Sequence, residues 1–454
     1  MKENAVFLKK SGILFRNILN DLKRDEATAA RELNLQLADL QEMLNGKKGI
    51  PYEVIQKAVA IWPVNERDFF PLHDDTDRDV LIYKSEQSRQ SKRVLSRGGK
   101  AYYEYRDTAM SRLALFRPEW IEMLVKVDDA DPLNPAIQWN KGHFLYQFTF
   151  FVGPINYYYE AEGKKYCVCM QTGDTVFGLP YFPHTFAKRE ESTAFILALT
   201  FGNRLLGDAQ QELVALGAEK AVQFCLEDQN GLFSLSSLLE KYRADASLPL
   251  EELSKRTEIP LSKLTSLFQK DVEISTTELE QLAKALGISL CDLLPIVGDT
   301  EKGIKIQSLA EAPRWCYPNH ATPQYIFLQL ARSRQVTGMQ PLIIQCLTTQ
   351  LPENFMKTSL HQYGYHIGTN PLTLSWIFEG STYHETLEPG DSFYIKPFVL
   401  HSFTKKEELG EGLDNALLIL RISGRLAEDE ITEASLLGSQ TIQRFVSDAE
   451  KWYA

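Results

Sequence analysis

The sequence predicts an α+β chain in which an all-helical module is followed by an antiparallel double-sheet barrel, the pair then being written a second time. Two internal matches carry this reading. Residues 29–44 (AARELNLQLADLQEML) match residues 253–268 (LSKRTEIPLSKLTSLF), with Leu35, Leu37, Leu40 and Leu44 falling on Ile259, Leu261, Leu264 and Phe268, and the same offset carries Asp68-Phe69-Phe70-Pro71 onto Asp292-Leu293-Leu294-Pro295. Residues 157–184 match 374–401, superposing Gly163 on Gly380, Gly173-Asp174 on Gly390-Asp391, Pro180 on Pro397 and His184 on His401. A chain of 454 residues has room for both copies, at about 100–200 residues per domain.

Taken in order, residues 1–75 form the first helical module, its apolar residues spaced i, i+3, i+4 around turn residues in a pattern resembling a helix-turn-helix. Residues 76–205 form the first barrel, where short alternating segments are punctuated by Gly, Asp and Pro. Residues 206–298 repeat the helical module and 299–424 the barrel, and 425–454 read as a helical tail. The helix-turn-helix likeness invites a DNA-binding role, which the charges oppose. Residues 12–62 hold seven Lys/Arg and seven Asp/Glu, and the would-be reading helix near Leu37 to Asn45 carries Asp39 and Glu42 with no base, so phosphates would be repelled.

The whole chain has 49 Lys plus Arg against 60 Asp plus Glu, a net charge of −11, which makes nucleic acid an unfavourable partner. Apolar residues are 44% and charged residues 24%, a globular balance. No run reaches the roughly 18 apolar residues that cross a bilayer, and the start lacks a secretory h-region, so a soluble, cytoplasmic protein without a membrane partner is expected. The six cysteines show no CxxC pairing, which signals neither a zinc site nor a disulfide framework.

Gly173-Asp174, then Pro180, then His184 resembles the second signature of the cupin superfamily, whose jelly-roll barrels hold a metal through inward-facing histidines. Upstream, Trp139-Asn140-Lys141-Gly142-His143-Phe144-Leu145-Tyr146-Gln147 places His143 and Gln147 four apart, on one side of a strand. With His184 they offer two imidazoles and one amide oxygen, a set that leaves adjacent positions open and favours Fe(II) over a closed zinc site. The same three residues also fit a plainer role as hydrogen-bonded barrel-interior side chains. The second barrel keeps His361 and His401 but sets Tyr365 where Gln147 would fall and Ile395 where Gly178 does, and reads as metal-free.

Early in the first-barrel segment, Arg93 to Met110 is rich in arginine and tyrosine, residues suited to an oxyanion, although a solvated charged strand has the same composition. Tyr102-Tyr103-Glu104-Tyr105-Arg106-Asp107-Thr108-Ala109 and Asn140-Lys141-Gly142-His143, in this tandem order, resemble the phosphonate-cleaving nonheme iron enzymes, the family of 2-hydroxyethylphosphonate dioxygenases and methylphosphonate synthases. The dioxygenase branch uses two His and one Glu, the Glu six residues before the last His, where this chain has Gly178. The synthase branch uses His, a Gln four residues on, and a later His.

The resemblance therefore implies Fe(II) on His143, Gln147 and His184. It assigns the phosphonate to Arg97, Tyr105, Asn140 and Thr200, with Arg93 and Tyr103 competing for the first two roles. It implies Lys23, donated from a neighbouring subunit of a homo-oligomer, as a further contact, Lys23 and Tyr105 serving catalysis. The implied reaction consumes 2-hydroxyethylphosphonate and O2 and releases methylphosphonate and CO2 without 2-oxoglutarate. Hydroxymethylphosphonate plus formate is the alternative outcome, and a small-molecule sensor pairing a cupin with a helix-turn-helix is the alternative class.

Overall fold

The computed structural model describes residues 5–227, 233–269, 272–408, 410 and 412–447; residues 1–4 of the expected first module and 448–454 of the expected tail lie outside them. Helices and strands alternate in blocks, giving a mixed helix-and-sheet protein. The first helical block comprises Ala5–Asp21, Glu26–Leu33, Leu37–Leu44 and Tyr52–Ile61, closed by a short turn of helix at Glu66–Phe69. The second includes Leu235–Asp245, Leu250–Thr257, Leu261–Gln269 and Thr276–Leu286, closed by Leu290–Leu293.

Helices this short are marginal alone and depend on tertiary packing. Phe15, Leu33, Leu40, Ile55, Trp62 and Phe69 supply it in the first block, and Leu239, Leu253, Leu264, Leu282 and Leu293 in the second. Between the first two helices Lys23 adopts a left-handed backbone (φ 54°). Asp25 then caps the next helix by accepting the Thr28 N–H at 2.7 Å, satisfying one of its orphan donors.

The strands form four sheets. One seven-stranded sheet runs Ile304–Gln307, Thr175–Gly178, Tyr146–Val152, Phe195–Phe201, Phe116–Met123, Lys100–Asp107, Arg93–Arg97, and it faces a three-stranded sheet of Lys164–Met170, Ile155–Ala161 and His184–Lys188. A second seven-stranded sheet runs Val80–Tyr83, Ser392–Ile395, His361–His366, Ala416–Ile422, Met339–Cys346, Tyr325–Gln329, Arg314–Tyr317, facing Ser381–Leu387, Leu372–Phe378 and His401–Lys405. Strand alternation gives each large sheet two apolar faces. Phe116, Trp120, Phe148, Phe150, Leu197 and Leu199 pack against Tyr363, Tyr365, Tyr394, Leu418 and Leu420, so the two large sheets lie back to back. The other face of the first large sheet packs Ile121, Phe151, Ile196 and Ala198 against Tyr157, Tyr159 and Phe186 of its small sheet.

The expected boundaries at 76 and 299 are crossed by an exchange of strands. Val80–Tyr83 pairs with Ser392–Ile395 in the C-terminal sheet, and Ile304–Gln307 pairs with Thr175–Gly178 in the N-terminal one. Each β-unit thus borrows an edge strand from the segment that precedes the other, a linkage that local strand patterning cannot reveal. Beyond each β-unit lie further helices, Asp208–Leu216 and Ala218–Ala221 after the first, Glu428–Leu437 and Ser439–Ser447 after the second. Among the described residues no helix is long and apolar enough to cross a membrane.

Candidate metal centre

His143, Gln147 and His184 meet on the inner face of the N-terminal β-unit. Gln147 stands on the strand Tyr146–Val152 directly between Gly178 and Thr200. His143 precedes that strand instead of lying on it, contrary to the same-strand expectation. Gly142 explains why: it takes φ 73°, and a Cβ there would come within 2.4 Å of the Tyr181 backbone. Only glycine lets the loop pass so close, and the Tyr181 N–H then donates to the His143 carbonyl at 2.7 Å. His184 opens the facing strand His184–Lys188.

Backbone carbonyls fix both imidazole tautomers. The Nδ1–H of His143 donates to Leu145 O (3.1 Å) and that of His184 to Phe182 O (2.8 Å), which leaves each Nε2 as the lone-pair nitrogen a metal would use, that of His184 facing the Asn140 amide nitrogen at 3.2 Å. Gln147 donates its Nε2–H to Thr149 Oγ1 at 2.9 Å, and this turns Oε1 to within 3.0 Å of His143 Nε2. Two acceptors facing each other at that distance require a second proton or a cation between them. Two donors bound at right angles to one ion through bonds of about 2.1 Å have the same separation. His184 is 8% exposed and its pKa is lowered to about 4 by burial, against the hydrogen bond to Phe182, so its ring is neutral and ligand-ready at pH 7.

The three donors line a cavity of about 10 Å³ closed by Thr149, Tyr157, Val176, Gly178, Leu179 and Phe182, room for roughly one water-sized body. Among the described residues no group of three or more His, Cys, Asp or Glu is gathered to hold a metal; this donor set fits one only through its amide. Gly178 stands where the resemblance places the Glu of the dioxygenase branch, and a Cβ built on it would meet nothing within 4 Å. Thr149, which the sequence reading missed, orients the amide. Thr149→Val is expected to weaken metal binding by about 10–100-fold with the fold intact, measured by equilibrium dialysis.

The sequence-predicted substrate residues divide by their commitments. Arg93 is held by Asp107 at 2.7 Å, and the buried Tyr103 hydroxyl accepts the Phe186 N–H at 2.9 Å while sharing a hydrogen bond with Thr185. Of the two competing registers, these partners occupy Arg93 and Tyr103. Arg97 donates to the Gln138 carbonyl at 3.1 Å, lies 4.9 Å from the Tyr103 ring centroid, and its charge adds to the depression of the His184 pKa. Tyr105 has no hydrogen-bond partner among the described residues; burial, then the charge of Glu119, raises its pKa, while Arg97 opposes.

Asn140 is spent on His184, its Oδ1 accepting the His184 N–H at 2.8 Å and its Nδ2 standing 3.2 Å from Nε2. Thr200 is the cross-strand neighbour of Gln147. Lys23 is exposed on the helical block, donates from Nζ to the Asp21 carbonyl, and does not line this cavity within its own chain. Arg117 and Glu119 share the inner face through the pairings Thr200↔Arg117 and Ala198↔Glu119; their i, i+2 alternation in Phe116–Met123 was the available signal.

In the second β-unit the register differs from the expected one. Gln362 pairs with Ile395 and Arg421 as Gln147 pairs with Gly178 and Thr200. Thr358 accepts from Phe398 N at 2.7 Å as His143 accepts from Tyr181. Gln362 therefore stands where Tyr365 was expected, and Thr358, not His361, stands where His143 does. A shift of two residues between the chain offset of these loops and that of the Gly-Asp turns hides this in the sequence.

Sheets stacked in facing pairs, with two Nε2-directed imidazoles and an amide oxygen inside one pair and an arginine beside them, define the class of nonheme metal proteins with an open ligand set. The chain is 41% identical over 451 residues, covering 98% of its length and 96% of the relative's, to a methylphosphonate synthase from Nitrosopumilus maritimus. It belongs to the methylphosphonate synthase and 2-hydroxyethylphosphonate dioxygenase family. A solved Streptomyces albus 2-hydroxyethylphosphonate dioxygenase, with 2-hydroxyethylphosphonate and Fe(II) bound, matches at 37% identity and TM-score 0.92, covering 99% of this chain and 100% of that one. A hydroxyethylphosphonate dioxygenase variant at 18% identity and TM-score 0.75, covering 96% and 99%, shares the fold. Residues 239–299 match the family model of the Cro/C1-type helix-turn-helix DNA-binding domain.

Proposed function

We propose that the protein is an Fe(II)- and O2-dependent enzyme that cleaves the C1–C2 bond of 2-hydroxyethylphosphonate to give methylphosphonate and CO2. The observation that carries this reading is the donor set: Gln147 directed at His143 by Thr149, with Gly178 where a carboxylate would enter. Substrate plus O2 balances as methylphosphonate, CO2 and water, so the carbon fragment provides all the electrons and no 2-oxoglutarate is consumed. Bound at this centre, the iron supplies O2 binding and the one-electron chemistry.

The chain's own residues bind and orient. Arg97 and Tyr105 would hold the phosphonate, the guanidinium by paired N–H donors and the phenol by its uncommitted O–H. Asn140 holds the His184 backbone N–H through Oδ1 and would turn its Nδ2 to the phosphonate once a metal occupies His184 Nε2, and Thr200 borders the amide ligand. Tyr157, Val176, Leu179 and Phe182 wall off water. Lys23 would enter from a neighbouring subunit and place an ammonium over the dianion, where each charge-assisted bond contributes about 1.5–3 kcal/mol.

The architecture supports the same reading. Helices at 26–33, 37–44 and 66–69 recur at 250–257, 261–269 and 290–293, from which we infer a tandem repeat of a helix-turn-helix-like module and a cupin barrel. Its units would divide as 1–75, 76–205, 206–298, 299–424 and 425–454, with one strand exchanged in each direction. The charge balance of the first module disfavours DNA, and we assign that module to an oligomer contact instead. Retention of a DNA duplex at low salt would contradict that. Six unpaired thiols and a ferrous centre fit a cytoplasmic setting.

A second reading, hydroxymethylphosphonate plus formate, is favoured by the likeness to the Streptomyces albus enzyme. Aerobic incubation with Fe(II) followed by ³¹P NMR separates the two; a methylphosphonate signal is expected. Gln147→Glu, which restores a charged ligand, is expected to shift product toward hydroxymethylphosphonate, and an unchanged product ratio would remove the amide as a determinant.

A further inference from the structure

The second β-unit repeats the donor frame of the first but pairs every donor internally. The Nδ1–H of His401 donates to Val399 O at 2.9 Å, as that of His184 does to Phe182. Its Nε2 lone pair, the one a metal would use, meets the amide nitrogen of Gln362 at 3.2 Å, as that of His184 meets Asn140 Nδ2 at 3.2 Å. The Gln362 carbonyl oxygen in turn accepts the Arg421 Nε–H at 2.8 Å. The difference lies at the amide oxygen: that of Gln147 faces a second acceptor, His143 Nε2, whereas that of Gln362 faces the Arg421 donor.

Arg421 stands opposite Gln362 where Thr200 stands opposite Gln147. Among the described residues it forms no ion pair with a carboxylate, so the guanidinium is a cation held by neutral groups. Burial pushes its pKa below the usual guanidinium range, yet an arginine stays charged at any ordinary pH.

We propose that Arg421 takes the place of a metal ion in the second β-unit, a fixed cation that closes this centre to divalent metals. Its Nε–H satisfies the Gln362 amide oxygen, as the ion would satisfy that of Gln147 in the first unit. Thr358, at the position of His143, removes the remaining imidazole. One substrate would then be turned over per chain, and the second unit would serve the first as backing for its large sheet and as donor of the strand Ile304–Gln307.

The test is Co(II) binding by equilibrium dialysis on the full chain, comparing each variant with its parent, so that the outcome does not depend on the first centre. Thr358→His combined with Arg421→Thr reproduces the first centre's donors and is expected to bind one more equivalent than the parent, with added cobalt d–d absorption. A folded double variant with unchanged stoichiometry overturns the proposal. If that variant does not fold, His401→Gln in the otherwise natural chain decides: unchanged stoichiometry is expected, and loss of an equivalent would show a metal on His401. His184→Ala reports on the first centre separately.

Discussion

His184→Ala is expected to abolish turnover, by at least about a thousandfold or some 4 kcal/mol in transition-state stabilisation, and to lose the bound metal while the protein stays folded. The ring is one of three donors: Gly178, on the strand Thr175–Gly178, offers no side chain, and among the described residues no carboxylate lines the cavity. The apolar packing of Tyr157, Phe151 and Phe186 beside it persists without the imidazole, and the hydrogen bonds lost are those to Phe182 O and Asn140. Iron stoichiometry and near-UV circular dichroism measured together check this. Loss of metal with a native spectrum is the expected pair, and wild-type turnover would contradict it.

The second large effect concerns Lys23. Its left-handed backbone is one that L side chains rarely adopt, at a cost near 1 kcal/mol that glycine avoids. Lys23→Gly is therefore expected to raise the melting temperature slightly while turnover falls by about 10–150-fold, the equivalent of one charge-assisted hydrogen bond. A side chain retained at an unfavourable backbone position for function gives opposite signs in the two measurements; a purely structural lysine would not. The proposed sharing between subunits adds a sharper outcome. Mixing Lys23→Gly chains with His184→Ala chains should raise turnover above that of either alone, because the proposed sharing would unite one partner's intact metal centre with the other's intact lysine. Unchanged turnover in Lys23→Gly alone would remove the cross-subunit contact.

What could be read from the sequence was whatever is encoded locally. Apolar spacing located the helical blocks, and Gly173-Asp174 and Gly390-Asp391 marked turns that do carry left-handed glycines, at φ 93° and 85°. His143, Gln147 and His184 came together as their motifs implied, although His143 reaches Gln147 from a loop shaped by Gly142 rather than along a strand. The features that escaped depend on distant pairing. Strands 80–83 and 304–307 find partners more than 120 residues away, and nothing in their own residues names those partners. Thr149 looked like one more alternating strand residue until its hydroxyl was seen to orient an amide. Arg421 lay in an apolar run, and its meaning emerges only from the register that sets it opposite Gln362.

Anomalous diffraction at the iron edge, from crystals grown anaerobically with Fe(II), tests the central claim most directly. A single peak per chain bonded to His143 Nε2, Gln147 Oε1 and His184 Nε2 is the expected result. A peak elsewhere, or one at the two imidazoles with Gln147 turned away, would contradict the account.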